Sequence, residues 1–200
     1  MTRLSRAGRG AALALAVLAA VFPVRGASTG SWTLRIDGEH SSVVFQLGAT
    51  FHTVHGTVTV TGGEIHFNPE GGQATGRVVA DATSTTTHNA KRDRAMHKKV
   101  LESGTYPDFV FTPTRILGRL PEAGENDLEV EGRMAIHGGQ HPMKVTVHVR
   151  REGLHLHGTA SLTIPYVAWG MKNPSAAFLR VHKEVEVSIE MEGTVVPPEP

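Results

Sequence analysis

Twelve histidines stand among the 200 residues, and their spacing raises the first chemistry to weigh. His155 and His157 are two apart, so on a β-strand both imidazoles leave from one face. His148 would lie near them if Val145, Val147 and Val149 pair with Leu154 and Leu156 across a turn at Arg151-Glu152-Gly153. Three neutral imidazoles side by side suit zinc, nickel or copper, and charging near pH ~6.5 would make the same cluster a switch in mild acid. His52 and His55 are a weaker pair, because three-residue spacing on a strand points side chains to opposite faces. The competing reading is that these histidines occupy the solvent side of strands with an apolar reverse side. No carboxylate or cysteine completes a recognisable set, so no metal ligand is assigned.

A second polar group lies between His88 and Leu101. Met96 and Val100 fall one helical turn apart, with Arg92 a turn earlier, and Asp93 and His97 form another i,i+4 pair. This is the one helical pattern in the chain. Thr87 or Asn89 is placed to cap its start, and Ser103-Gly104 to stop it. Arg92, Asp93 and His97, with Arg94, Lys98 and Lys99 around them, are candidates for a polar rim holding the head of an amphiphile. Against that stands a solvated helix face, with Asp93 as a structural tie. No G-x-S-x-G elbow, P-loop, dinucleotide fingerprint or H-E-x-x-H is present, and there is no cysteine nucleophile. The expectation is a binding protein without catalytic residues or cofactor.

The elements that must position these groups read as strands. Trp32, Leu34 and Ile36 alternate before Asp37-Gly38-Glu39, followed by Val43, Phe45 and Leu47, then Val54, Val58 and Val60. Gly62-Gly63 reads as a turn, and Ile65 and Phe67 as a short strand. Phe109, Phe111 and Ile116 resume the pattern after the helix, and Met134 and Ile136 precede a loop from His137 to Pro142. A longer irregular stretch, Pro165 to Pro174, comes before a final strand from Val185 to Met191. Period-two alternation with turns at this spacing argues for one antiparallel all-β sandwich or barrel. Gly48, Gly56, Gly76 and Gly132 beside the strand runs favour the barrel, which needs bends to close. About eight strands can enclose a space that is filled by side chains or holds one apolar ligand. Phe45, Leu47, Met96, Val100, Phe109, Phe111, Met134, Val147 and Leu156 are the candidate lining.

Composition narrows the setting. Arg3, Arg6 and Arg9 precede the apolar run Ala11 to Phe22, and small residues follow at Gly26, Ala27 and Ser28. This is signal-peptide grammar, too short for a membrane span, with cleavage expected after Gly26. Export to the periplasm or beyond is the corresponding expectation, without a stable membrane anchor. The whole chain has 20 Lys and Arg against 19 Asp and Glu. Its first 26 residues hold four arginines (Arg25 is the fourth) and no acid, so the remainder is net acidic. That removes the basic field a nucleic-acid partner requires. The absence of cysteine excludes disulfides. The expected organisation is 1–26 signal peptide, 27–194 barrel and 195–200 disordered proline-rich tail.

Taken in order, several short motifs resemble one family. Ile36-Asp37 is followed by His40-Ser41-Ser42-Val43 and Phe45, and Gly63-x-Ile65-x-Phe67 comes next. Arg92-Asp93 opens the helix, with Tyr106-Pro107-x-Phe109-x-Phe111 behind it, then Gly132-x-Met134-x-Ile136-x-Gly138 and Pro142-Met143. The chain resembles the YceI-like family over about Trp32 to Gly193. It departs at Met96 to Leu101, where the family commonly has His-Leu-x-Ser, and at Ala168, where many members carry Asp. The resemblance implies a lipocalin-like antiparallel barrel with a short helix at one end. It also implies that the barrel sequesters or carries a polyisoprenoid or an isoprenoid quinone, with homodimerisation left open.

Overall fold

Apolar–polar alternation becomes eight long strands in a computed structural model that describes residues 31–176 and 178–198. They are β1 Trp32–Gly48, β2 Thr53–Phe67, β3 Gly72–Thr86, β4 Asp108–Leu117, β5 Gly124–Ile136, β6 Gly139–Glu152, β7 His155–Ile164 and β8 Val185–Val196. Each pairs antiparallel with its sequence neighbour, and β8 returns to β1 through pairs such as Phe45↔Val187, so the sheet closes into a barrel. The helix α1, Ala90–Met96, and a π-helical turn, His97–Leu101, span the β3–β4 connection. The expected signal segment 1–26 lies outside the described residues.

The strands are longer than the sequence pattern suggested. Asp37-Gly38-Glu39 is a bulge inside β1, not a turn. The Asp37 carboxylate accepts from the backbone N–H of Glu39 and His40, and Ser41 donates to the Asp37 carbonyl, so the extra residues are satisfied locally. Gly62-Gly63 likewise lies within β2, opposite Val79 and Val78. The expected loop His137 to Pro142 shrinks to a His137-Gly138 turn, both residues at positive φ (49° and 76°), and β6 starts at Gly139. The β6–β7 turn sits one step later than expected, at Gly153-Leu154, with Glu152 opposite His155. Leu154 is therefore an exposed turn residue and not an interior one. The tail also needs correction: β8 continues to Val196, and Val195 is fully buried.

Two apolar clusters mark the two ends. At the far end Phe67, Ile116, Leu128, Val149, Leu156 and Val195 pack together under Trp32, whose ring carries the Arg151 guanidinium at 5.0 Å. At the near end, where α1 and the 165–184 connection lie, Val100, Ile136, Tyr166 and Met171 form a second cluster. The wall is continuous except between β6 and β7. There the pairing runs from Glu152↔His155 to His148↔Thr159 and does not resume. Pro142 and Lys144 occupy the free half of β6, features that blunt an edge strand. Above them Trp169 stacks on His141 at 4.2 Å, bridging the seam.

Glycine permits several close approaches, those at Gly76 and Gly56 among them. Gly76 has φ +110°, and a Cβ there would stand 2.1 Å from the Glu64 carbonyl oxygen. At Gly56 a Cβ would stand 2.3 Å from Phe45 Cζ, so the ring lies flat over the glycine. Gly76→Ala should lower unfolding free energy in urea by about 1–3 kcal/mol while leaving the far-ultraviolet strand signal intact. An unchanged midpoint would show that β2 and β3 separate more easily than this packing implies.

Candidate functional site

Inward-pointing residues of all eight strands face a common cavity of about 890 Å³ between the two clusters. Every one of the nine apolar candidates from the sequence borders it. Phe45 and Leu47 come from β1, Phe109 and Phe111 from β4, Met134 from β5, Val147 from β6 and Leu156 from β7, while Met96 and Val100 descend from the helical segment. Sequence reasoning missed much of the β8 wall, Val187, Ile189 and Met191 among it, and the residues of the connection above it: Tyr166, Met171, Leu179 and Val181. The β8 residues were visible as alternation. The connection lacked any periodic signal to mark which of its side chains turn inward.

Most polar residues along the cavity lie at the near end, His52, Thr85, Thr87, Arg92, Lys99, Lys172, Asn173 and Ser175, while Glu192 borders it from farther along β8. Of the expected rim, Arg92 borders the cavity, whereas Asp93 and His97 do not. Asn89 caps α1 by accepting from the Arg92 N–H at 3.0 Å. Asp93 accepts from the Thr87 N–H at 2.9 Å, from the Thr87 hydroxyl, and from the Thr86 hydroxyl at 2.9 Å. Burial works against its ionisation, but these bonds outweigh burial and hold the carboxyl below its ordinary value. Arg92 does not pair with it. Its Nε donates to the Thr87 hydroxyl at 2.7 Å and its Nη2 to the Thr87 carbonyl at 2.9 Å.

His97 is also committed to structure. One ring nitrogen, Nε2, lies 2.8 Å from the Thr85 carbonyl, which can only accept, so Nε2 carries the proton in the neutral ring. Nδ1 then accepts from the Ser103 hydroxyl at 2.9 Å. The helix ends one residue before the expected Ser103-Gly104 stop, at Glu102 in left-handed conformation (φ 47°), whose N–H bonds the His97 carbonyl across the π turn. That wider turn brings Val100 and Leu101 against the near-end cluster.

The near end is roofed by the 165–184 connection. Tyr166 donates its hydroxyl to the His182 carbonyl at 2.7 Å, and burial pushes the phenol up to about 12, keeping it a donor. The connection is strapped to the β1–β2 loop. The Thr50 N–H donates to the Arg180 carbonyl at 2.9 Å, the Arg180 N–H to the Thr50 hydroxyl at 2.8 Å, and the His182 N–H to the Gly48 carbonyl at 2.9 Å.

The three-histidine cluster weighed as an alternative does not form. His148, His155 and His157 do share the outer face, but register places His148 opposite Thr159 and His157 opposite Arg150. His148 bonds Asp127 on β5 at 2.8 Å, a contact that raises its affinity for a proton, and His157 bonds Glu192 on β8 at 2.8 Å. Among the described residues no three His, Cys, Asp or Glu are arranged to hold a metal ion.

Residues 34–193 match the YceI-like domain family, and the chain belongs to it. Solved structures share the fold at low identity. One is BcnA from Burkholderia cenocepacia, 19% identical, with a TM-score of 0.67 over 80% of this chain and 99% of that one. Another is a polyisoprenoid binding domain from Saccharophagus degradans implicated in plant cell wall breakdown, 15% identical, TM-score 0.65, covering 80% and 97%. A YceI protein from Campylobacter jejuni is 15% identical, TM-score 0.54, covering 76% and 88%. No functionally curated protein matches the sequence.

Asp93→Ala should cost about 1–2 kcal/mol of stability in urea at neutral pH, discounted for its partial exposure. Because its folded pKa is depressed, the contribution is complete above the unfolded value near ~3.9 and lost as pH falls through the folded value. Parent and variant should therefore converge in stability in stronger acid. A gap that stays constant down to low pH would contradict the anchoring role of the carboxylate.

Proposed function

We propose that the barrel is a non-catalytic container for one long apolar chain, an isoprenoid lipid or the tail of an isoprenoid quinone, working in the periplasm or after secretion. The observation that carries this reading is the cavity. By the coefficient measured for engineered core voids, about 890 Å³ left dry and empty would forfeit on the order of 20 kcal/mol. That exceeds the ~5–15 kcal/mol net stability of an ordinary domain. The space is therefore filled by solvent or by a guest. Ordered water needs two to four polar partners each, and the β-strand walls offer few, so an apolar guest is favoured over water through most of the depth. Each methylene moved from water into such surroundings contributes ~0.8 kcal/mol, which lets a long tail bind without a strong polar contact.

Family membership supports the reading, as does the polyisoprenoid-binding description of the Saccharophagus domain. The polar near end gives the guest an orientation: tail toward the far cluster, head beside Arg92, Lys99, Lys172 and Asn173. Asp93 and His97 serve the head only indirectly, by holding the helix.

The test is loading with all-trans-retinol, an isoprenoid alcohol whose fluorescence rises in apolar surroundings. Met96→Asp puts a carboxylate against the cavity from the helix and should weaken loading at least about tenfold, with the strand circular dichroism unchanged. Equal loading of parent and variant would remove the helix from the site, and no loading of the parent would count against the carrier itself.

A further inference from the structure

Two of the largest exposed apolar side chains stand on neighbouring loops at the cavity's near end. Phe51 is 79% exposed at the tip of the β1–β2 loop, and Phe178 is 90% exposed in the 165–184 connection. The straps between Thr50 and Arg180 bring these two tips together. Each tip is also shaped from within. The Ala49 N–H bonds the His52 carbonyl at 2.9 Å, and Ala176 and Leu179 exchange both backbone hydrogen bonds, leaving Phe178 at the reversal. Ala49, His52, Ala176 and Leu179 border the cavity, whereas Phe51 and Phe178 do not. The two rings thus face away from the interior on the loops that rim its mouth.

Charge separates along the same axis. The near-end connection carries Lys172, Arg180 and Lys183 and no acid from Gly170 to Lys183, and the β1–β2 loop has none either. The helical segment adds Lys91, Arg92, Arg94, Lys98 and Lys99. The acids nearest this end are Asp93, bound to Thr86 and Thr87, Glu102, which faces His137 at 3.5 Å, Asp81 and Asp108 at the root of the helix, and Glu184 and Glu186 where the connection enters β8. Toward the far end and the flank, β5 presents Glu125, Asp127, Glu129 and Glu131, and β8 presents Glu190 and Glu192. A basic mouth on an otherwise acidic barrel gives the molecule an electrical orientation.

From the paired phenylalanines and this asymmetry we propose that the near end docks on an anionic bilayer, with Phe51 and Phe178 inserted at the headgroup boundary. Apolar insertion together with lysine and arginine contacts to acidic headgroups is the two-part signal that holds a peripheral protein reversibly. Among the described residues no helix is long and apolar enough to cross a membrane, and the docking proposed is peripheral. The cavity mouth then opens onto the bilayer surface, and a lipid tail passes between the two apolar phases with little exposure to water. In its purpose this inference rests on the carrier reading; in its measurement it does not.

The test uses the protein recovered from the periplasm of an expressing bacterium, with its intact mass recorded. It is sedimented with vesicles of equal parts phosphatidylglycerol and phosphatidylcholine, and with pure phosphatidylcholine. The parent should partition onto the mixed vesicles, less so as salt is added, and hardly at all onto the neutral ones. F51S/F178S should lower partitioning about tenfold, and R180E/K183E should do so at low salt, while retinol loading in free solution stays as in the parent. Equal partitioning of F51S/F178S and parent would assign any binding to another part of the chain and overturn the proposal. So would the absence of partitioning by the parent, including the case where the phenylalanines instead drive a concentration-dependent dimer in sedimentation velocity. Vesicle binding without retinol loading would leave docking standing and remove the carrier reading alone.

Discussion

Closure of the sheet governs everything else in this molecule. Once β8 pairs with β1, every second side chain of eight strands must face one shared interior, and that interior is wider than those side chains fill. The far end solves the problem by packing, with Phe67, Ile116, Leu128, Val149 and Leu156 meeting beneath Trp32. The middle is left as a cavity. The near end is covered by the helical segment and the 165–184 connection. Closure sets the size of the interior, and the packing at its two ends sets how much of it stays open.

The cover is held by hydrogen bonds made mostly by short polar residues at the end of β3. Thr85, Thr86 and Thr87 receive His97, Asp93 and Arg92 respectively, so three successive residues anchor three helical side chains. On the opposite side Tyr166 and the Thr50–Arg180 straps hold the other half of the roof. This division explains why polar residues near a mouth need not all meet a ligand. Some are used in keeping the mouth where it is. At the half-zipped β6–β7 seam Trp169 stacks on His141 beside the free half of β6.

Much of this was legible in the sequence, for stated physical reasons. Alternation identified the strands, and a single 3.6-residue pattern identified the helix, because both periods survive without tertiary context. Phe45, Phe111 and Met96 could be placed on the cavity because apolar residues on such elements have nowhere else to go. Strand ends were less legible. Asp37-Gly38 and Gly62-Gly63 carry turn chemistry yet serve as bulges, since closing a barrel needs bends within strands as well as between them. The histidines were read on the correct face, but their partners on neighbouring strands, Asp127 and Glu192, depend on register that no local pattern encodes. The Thr85–Thr87 anchor was invisible for a similar reason: threonines in a strand look alike until a helix lies across them.

The central claim is that the cavity exists to hold an apolar chain. The most direct measurement is native mass spectrometry of the protein recovered from a bacterial periplasm, followed by organic extraction and identification of what was retained. The account predicts one prenyl lipid or isoprenoid quinone per chain, released by solvent and absent from a Met96→Asp preparation. A protein that is recovered empty and shows no mass shift with added isoprenoids would contradict it.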